Sequence, residues 1–440
     1  MPGLGYATTE RLNQESLAVK ISIDESVCGM LFDICHRQDP FDDYPLTYNW
    51  FGGGQVQVIN NIEEAEEVGI SEGGFMGGVP YYHIKRFYDF IGADKPIYIM
   101  FSNCKSNEEP NFDAIQTMQR ESNGSIYQIG IWTEWPLWKV AENNNYIHTD
   151  LLAAIKIQTD ELCGIIGEPT NSASPLSVIL CANTACLEND ISNNRIVDYN
   201  KIPNLIELNQ PKVSIILGQD GTDEVHSIQQ SNHNYTPVGM LGIALACISI
   251  APAEESIGRV ERYNLNKNDD MNNPELGFGS VGADNYYSPI SDINNVRANI
   301  ISLKGYIIPT RYKAKESELF FSNDQTLSEK DYLTLANNRV IHKCRRIIKS
   351  VMLPYIGANM SLDPATGKLS TTSIAVIITS ITEALDKNML NVDGQSQING
   401  RTVIIDEDQN ILDNDELKVD VSIIPAGSNA QITMEELYSI

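Results

Sequence analysis

PIYIMFSNCKSNEEPNFDAIQTMQRESNGSIYQIGIW, residues 96–132, contains a strand, a helix and a strand in one short run. PIYIMFS (96–102) and SIYQIGIW (125–132) are short, apolar and rich in β-branched and aromatic residues. Between them NFDAIQTMQRES (111–122) places Ile115 and Met118 at helical spacing. An amphipathic helix between two such strands reads as a β-α-β unit with parallel strands. The pattern continues downstream. NYIHTDLLAAIKIQTDEL (145–162) reads as a helix, and PLSVILCAN (175–183) and KVSIILGQD (212–220) read as strands. VGMLGIALACISI (238–250) reads as a buried helix, too short to span a bilayer. The Asn- and Gly-rich stretch 264–280 closes the series. From residue 95 to this stretch the chain is therefore expected to form an α/β domain with a largely parallel sheet.

The flanks have a different texture. Residues 1–10 are polar and Gly-rich and suit an extended arm. Leu17, Val19, Ile21 and Ile23 then alternate with polar or small residues, as in a half-buried strand. In the Gly-rich stretch 51–90, EEAEE reads as helix and the aromatic end resumes one. After residue 295, segments 297–312 and 318–324 read as strands, and 329–352 and 370–388 as two long helices. The strands 401–406 and 416–425 follow. In the second, Leu417, Val419, Val421 and Ile423 alternate with Lys418, Asp420 and Ser422.

The chain has 58 acidic against 31 basic residues, a net charge of -27, which argues against a nucleic-acid partner. Its first residues lack the basic and apolar regions of a secretion signal. Eight scattered cysteines without a CxxC read as buried free thiols. Gly277 to Gly282 satisfies GxGxxG, but neither a strand before it nor a helix after it is evident, so a dinucleotide site is not expected. Gly69 to Gly73 satisfies GxSxG, but EEAEEV precedes it where a nucleophile elbow needs a strand. In DEDQNILDNDE (406–416) the turn glycine and final glutamate of a calcium loop are replaced by Ile411 and Leu417. We expect no catalytic residue, metal or cofactor. The aromatics of TEWPLW (133–138) either cover a sheet edge or meet a partner, and packing is the favoured reading.

One segment runs against the overall charge. NNRVIHKCRRIIKSVMLPYIG (337–357) carries Arg339, Lys343, Arg345, Arg346 and Lys349, with His342 among them, and no acid. As a helix it places Val340, Cys344, Ile347 and Val351 on one face. Arg339, His342, Arg346 and Lys349 lie along another. The second face can answer acids of this chain or of neighbouring copies, grip an acidic partner, or be solvated.

The C-terminal third resembles the contractile-tail sheath family, in particular a sheath-like group from bacteriophages and prophages. The resemblance rests on ordered phrases: LKGYIIPTRY (303–312), ELFFSND (318–324), DYLTLANNRVIHKCRRIIKSVMLPYIG (331–357) and GKLS (367–370). LDKNML (385–390), ING (398–400), VIIDEDQNIL (403–412) and LKVDVSIIPAGSNAQI (417–432) complete it. It implies an α/β fold overall: an α+β sheath core of mixed sheet and two long helices over 24–94 together with 295–440, an inserted α/β domain over 95–294, and extended terminal arms, the N-terminal one over 1–23. It further implies a non-enzymatic subunit that polymerises with itself as stacked hexameric rings around an inner tail tube protein. Such a sheath contracts irreversibly and drives the tube through a cell envelope. Baseplate and tail-terminator proteins would be its other partners, with no nucleic acid and no membrane insertion. The implied location is a virion tail assembled in the bacterial cytoplasm, or the particle of a tailocin or injection system. A distant alternative is an α/β enzyme on residues 95–250. Within the sheath reading, Leu17, Val19, Ile21, Ile23, Leu417, Val419, Val421 and Ile423 either pair within their own subunit or exchange between subunits. Arg339, His342, Lys343, Arg346 and Lys349 are candidates for charge contacts with the tube or a neighbouring subunit.

Overall fold

A computed structural model describes residues 24–36, 55–74, 78–105, 110–141, 144–163, 174–183, 202–231 and 236–267. It further describes 275–277, 287–289, 300–313, 315–329, 332–364, 366–390, 394–409 and 417–427. In chain order the elements begin with β1 (Cys28–His36), β2 (Gln57–Ile59), α1 (Ile62–Glu67), α2 (Val79–Ile91) and β3 (Ile97–Lys105). There follow α3 (Ala114–Glu121), β4 (Gln128–Thr133), β5 (Trp138–Ala141), β6 (Asn144–Ile147) and α4 (Thr149–Glu161). Next come β7 (Ser177–Cys181), β8 (Val213–Ile216), α5 (Asp223–Ser231), α6 (Leu241–Ile250), β9 (Glu275–Gly277) and β10 (Tyr287–Pro289). The rest are β11 (Tyr306–Ile307), β12 (Pro309–Tyr312), β13 (Lys315–Phe321), α7 (Leu335–Met352), α8 (Thr371–Met389), β14 (Ile398–Ile404) and β15 (Asp420–Pro425).

A seven-stranded sheet runs in the order β11-β8-β7-β4-β1-β3-β2. Every neighbouring pair is parallel except β2 against β3. β1 lies between β3 and β4, so its side chains alternate between two cores. Met30, Phe32 and Ile34 join α2 and α6 on one face, while Leu31 joins α3 and α4 on the other. The sheet therefore crosses the boundary expected at residues 94 and 95. Its central strand precedes that boundary, and β11 lies beyond residue 294. The reason is topological: a parallel strand inserted between β3 and β4 can come from any distance along the chain.

Helices α2 and α6 pack closely for a specific reason. A Cβ on Gly242 would lie 2.0 Å from the carbonyl oxygen of His83. The His83 ring completes the crossing: Nε2–H donates to the Val238 carbonyl at 2.9 Å, and Nδ1 accepts from the Gly242 amide at 3.3 Å. The bond at Nδ1 requires the neutral ring, and burial lowers the His83 pKa to about 3.

A third core lies outside the sheet. Val340, Cys344 and Ile347 of α7 meet Ile374, Ile377, Ile381, Leu385 and Met389 of α8, with Ile398 of the β14–β15 hairpin. α8 begins where Ser370 accepts the Ser373 amide at 3.2 Å, an N-cap.

Three local expectations are revised. The segment 297–312 is not one strand: residues 300–303 are helical and Gly305, at φ +92°, turns the chain into β11. The helix expected from residue 145 starts at Thr149, because the His148 ring accepts the Leu151 amide and ends β6. β1 was not expected at all. The strand expected over 16–23 lies outside the described residues.

Gly242→Ala should destabilise the fold by about 1–3 kcal/mol, because the helix crossing must open to admit the methyl. Urea denaturation followed by circular dichroism measures the shift in midpoint.

Candidate functional site: the basic helix and the chain ends

The N-terminus of α7 is held by two acceptors. Thr334 Oγ1 accepts the Asn337 amide at 3.2 Å, and Asp324 Oδ2 accepts the Ala336 amide at 3.1 Å. A carboxylate suits the positive end of a helix. Burial nonetheless raises the Asp324 pKa, against the lowering effect of its bond from Ser256.

Arg339 is 1% exposed. It donates to the carbonyls of Pro252 (3.1 Å), Ile248 (3.2 Å) and Ala251 (2.7 Å). These carbonyls lie at and just beyond the C-terminus of α6, which carries no charged residue of its own. Carbonyls at a helix C-terminus lack intrahelical partners and carry the negative end of the dipole. Lys95 adds a second cation, donating to the carbonyl of Ser249. α6 can thus go without a charged residue because its end is satisfied from α7 and from Lys95, just before β3.

Arg346, also 1% exposed, donates to the carbonyls of Gly124, Ile126 (2.6 Å) and Pro175 (2.9 Å). Its guanidinium stacks 3.9 Å from the centroid of the Tyr127 ring. Those carbonyls belong to the loops entering β4 and β7. Burial lowers the Arg346 pKa to about 10. Lys349 Nζ donates to Ser174 Oγ at 3.2 Å. His342 is buried, with Nδ1 3.3 Å from Ser177 Oγ; burial drives its pKa well below the usual imidazole value. Lys343 pairs with Glu25 at 2.7 Å. Arg345 is exposed.

The predicted charge set is thus brought together on one helix, and its members have partners inside the subunit. Most of those partners are backbone carbonyls, which explains why the segment needs no nearby acids. The opposite face, Val340, Cys344 and Ile347, packs in the third core as the periodicity indicates.

β15 pairs antiparallel with β14, with Val421 opposite Val403 and Ile423 opposite Arg401. Leu417, Val419, Val421 and Ile423 are half-buried against the third core. The other face is open, with Ile404 56% and Ile424 64% exposed. Among the described residues the pair forms a two-stranded sheet, so each strand presents one edge without a strand partner. Leu17, Val19, Ile21 and Ile23 lie outside the described residues.

Sequence reasoning did not single out Glu25. Its Oε1 accepts from the Ala253 amide at 3.3 Å and from Gln397 Nε2 at 3.0 Å, while Oε2 holds Lys343. Gln397 in turn accepts the Ala426 amide at 3.0 Å through its carbonyl. One carboxylate joins the start of the described chain, the loop after α6, the basic helix and the C-terminal hairpin. One of two adjacent acids in SIDES (22–26), it carries no periodic signal that would identify it.

The enzyme-like patterns add no built site. Ser71 of the GxSxG match is exposed in a turn after α1. Most of the GxGxxG match, and residues 410–416 of the calcium-like loop, lie outside the described residues. Among the described residues, no group of three or more His, Cys, Asp or Glu could hold a metal ion. None of the described helices is long and apolar enough to cross a membrane. Trp138 of TEWPLW is buried and donates to the Tyr306 hydroxyl at 2.9 Å. At the C-terminal ends of β1, β3 and β4, Ser102, Asp33 and Thr133 form one cross-strand row. Both hydroxyls donate to the buried Asp33 carboxylate, whose pKa burial raises to about 6.

Residues 331–439 match the family model described as DUF2586, C-terminal domain. A search of the curated proteins finds no match. Among solved structures, the chain is similar to one in the anti-feeding prophage (AFP) helical sheath in contracted state. That similarity has 10% identity and a TM-score of 0.53, and covers 94% of this chain and 93% of the other. It is also similar to a chain of the AFP baseplate, 6-fold symmetrised, at 9% identity and a TM-score of 0.50, covering 95% and 94%. The protein therefore has the fold of a contractile sheath subunit over nearly its whole length.

Arg346→Met should cost about 3 kcal/mol or more, because it strands buried carbonyls, and Arg346→Lys should recover only part. Arg345→Met should stay within about 0.5 kcal/mol of the parent; denaturant midpoints compare the three. Asp33→Asn should stabilise the protein at pH 8 by up to about 3 kcal/mol. The raised folded pKa means that ionised Asp33 costs stability above about pH 6. The penalty fades as pH falls through 6 and is absent below the unfolded value of 3.8. Melting curves of both proteins from pH 4 to 8 should therefore converge at the acid end.

Proposed function

We propose that this chain is a structural, non-enzymatic subunit of a contractile sheath. It polymerises as stacked hexameric rings around an inner tube and contracts irreversibly to drive that tube through a cell envelope. The observation that carries the reading is a fold shared over nearly the full length of both chains with a helical sheath subunit. Baseplate and tail-terminator proteins are the partners this reading requires at the two ends of the sleeve. A virion tail, a tailocin and an injection system are equally served by such a subunit.

The local chemistry supports assembly through the chain ends. The open edges of β14 and β15 offer backbone donors and acceptors to another strand, and the exposed Ile404 and Ile424 offer apolar area. The alternating segment Leu17 to Ile23 has the residue pattern of such a strand. Supplied by a neighbouring copy, it makes a head-to-tail contact that propagates into a filament. Strand bonds keep copies joined while the bodies rotate.

The tube contact has a narrower choice of surfaces. Arg339, His342, Lys343 and Arg346 are buried within the subunit, which leaves Arg345 as the exposed cation of α7. α8 presents exposed Thr371, Thr372, Ala375, Val376 and Thr379, an uncharged face over its first turns. A neutral, β-branched face of this kind suits a contact that must slide and release better than a fixed ion-pair lattice.

Overexpressed full-length protein should form hollow striated tubes in negative-stain micrographs. Deleting residues 1–23 should abolish them while circular dichroism still reports a folded monomer. Long sleeves from the truncated chain would exclude strand exchange. A monomer that turns over a saturable small-molecule substrate would exclude the sheath reading itself.

A further inference from the structure

The two ends of the described chain meet at one junction. Residues 1–23 join the body at Asp24, where Asp24 Oδ1 accepts the Ser26 amide at 3.0 Å and sets a tight turn. Glu25 follows at once, and Gln397 Nε2 donates to it across 372 positions of sequence. On the other side, Ala426 donates its amide to the Gln397 carbonyl at 3.0 Å, immediately after β15. From Val27 onward the chain belongs to the sheet, with the Val27 carbonyl accepting the Tyr127 amide at 3.0 Å. Glu25 and Gln397 therefore connect the two ends directly, without passing through the seven-stranded sheet.

We propose that Glu25 and Gln397 form a mechanical link between the start of the described chain and the β14–β15 hairpin. A pull on one side is transmitted to the other at this junction, and the α/β body is carried along through Lys343 and the Ala253 amide. The proposal rests on the sheath reading for its use, but its physical content lies in the single subunit. The junction has the qualities such a link requires. The Lys343 side chain is 6% exposed and that of Glu25 16%, so water competes weakly for the carboxylate. Three donors from three separate elements converge on two oxygens, so none can move far without the others. The sheet strands, by contrast, are held by ladder hydrogen bonds and two apolar cores, and would transmit load only by deforming a packed interior.

The link makes a prediction that a merely local role does not. Gln397→Ala alters a residue far from the N-terminus in sequence, yet it should raise amide hydrogen exchange at residues 24–28 at least about tenfold. Glu25→Ala should do the same at residues 397–404 and at Ala426. Exchange in β4 and β7 should be unchanged in both. Glu25→Gln keeps an acceptor for Gln397 and Ala253 but loses the charge partner of Lys343. It should therefore preserve the coupling to the hairpin and loosen only the hold on α7. In sleeves, Gln397→Ala should assemble, but on triggering with urea should break or stop partway, where the parent contracts end to end. Exchange confined to the mutated side in both alanine variants would overturn the link, as would end-to-end contraction of Gln397→Ala sleeves. If the parent chain forms no sleeves, the sheath reading falls, and the exchange measurement still decides the link.

Discussion

Arg346 lies beneath the last turns of α7, enclosed by the carbonyls of Gly124, Ile126 and Pro175 and stacked on Tyr127. Together with Arg339 it determines where the C-terminal part of the molecule sits on the α/β body. Burying a guanidinium is costly unless its donors find partners. Here the fork geometry lets one side chain satisfy three carbonyls, and a second collects the end of α6. Replacing the cations with apolar side chains would take these donors from the Gly124, Pro175, Ile248 and Ala251 carbonyls, while Ile126 and Pro252 would keep Gln119 and the Glu255 amide. Replacing them with lysine would give up the planar fork. The third core can therefore form on the far side of α7 while α7 itself is fixed to the sheet.

This arrangement separates two kinds of surface. The face of α7 toward the body is polar and committed, and its other face is apolar and closed by α8 and the hairpin. The surfaces left open among the described residues lie elsewhere: the outer face and strand edges of β14–β15 and the uncharged side of α8. Among the described residues the hairpin is a two-stranded sheet, with one edge of each strand free of a strand partner. A two-stranded sheet is marginal by itself. That makes the hairpin a suitable place for a strand from elsewhere to add stability.

Much of the architecture was legible because hydrophobic period reports local structure directly. β3, α3, β4, β7, β8 and α6 fall where runs such as PIYIMFS and VGMLGIALACISI place them. β1 escaped because CGMLFDICH interrupts its apolar run with Gly29 and Asp33, and neither shows its reason in sequence. A methyl on Gly29 would push against the end of the Met118 side chain, and Asp33 is held by hydroxyls from two neighbouring strands. The division at residue 94 followed texture along the chain, whereas a parallel sheet is ordered by crossovers that texture does not record. The basic segment was visible as an anomaly, but its explanation was not. The acceptors for Arg339 and Arg346 are main-chain oxygens between 87 and 222 positions away, and any residue type supplies a carbonyl. Glu25 and Gln397 were invisible for a related reason: each is a single polar residue whose meaning comes from folding alone.

That anonymity of the acceptors bears on how such a subunit can diverge. A dock built between side chains constrains both partners, because a change on one side must be matched on the other. Here one side of the dock consists of peptide groups, so the body can exchange its side chains at most of those positions and still present the same oxygens. Only the arginines, and the backbone path that aims the carbonyls at them, are held in place. A joint of this kind lets two regions of one chain drift at different rates while keeping a common geometry.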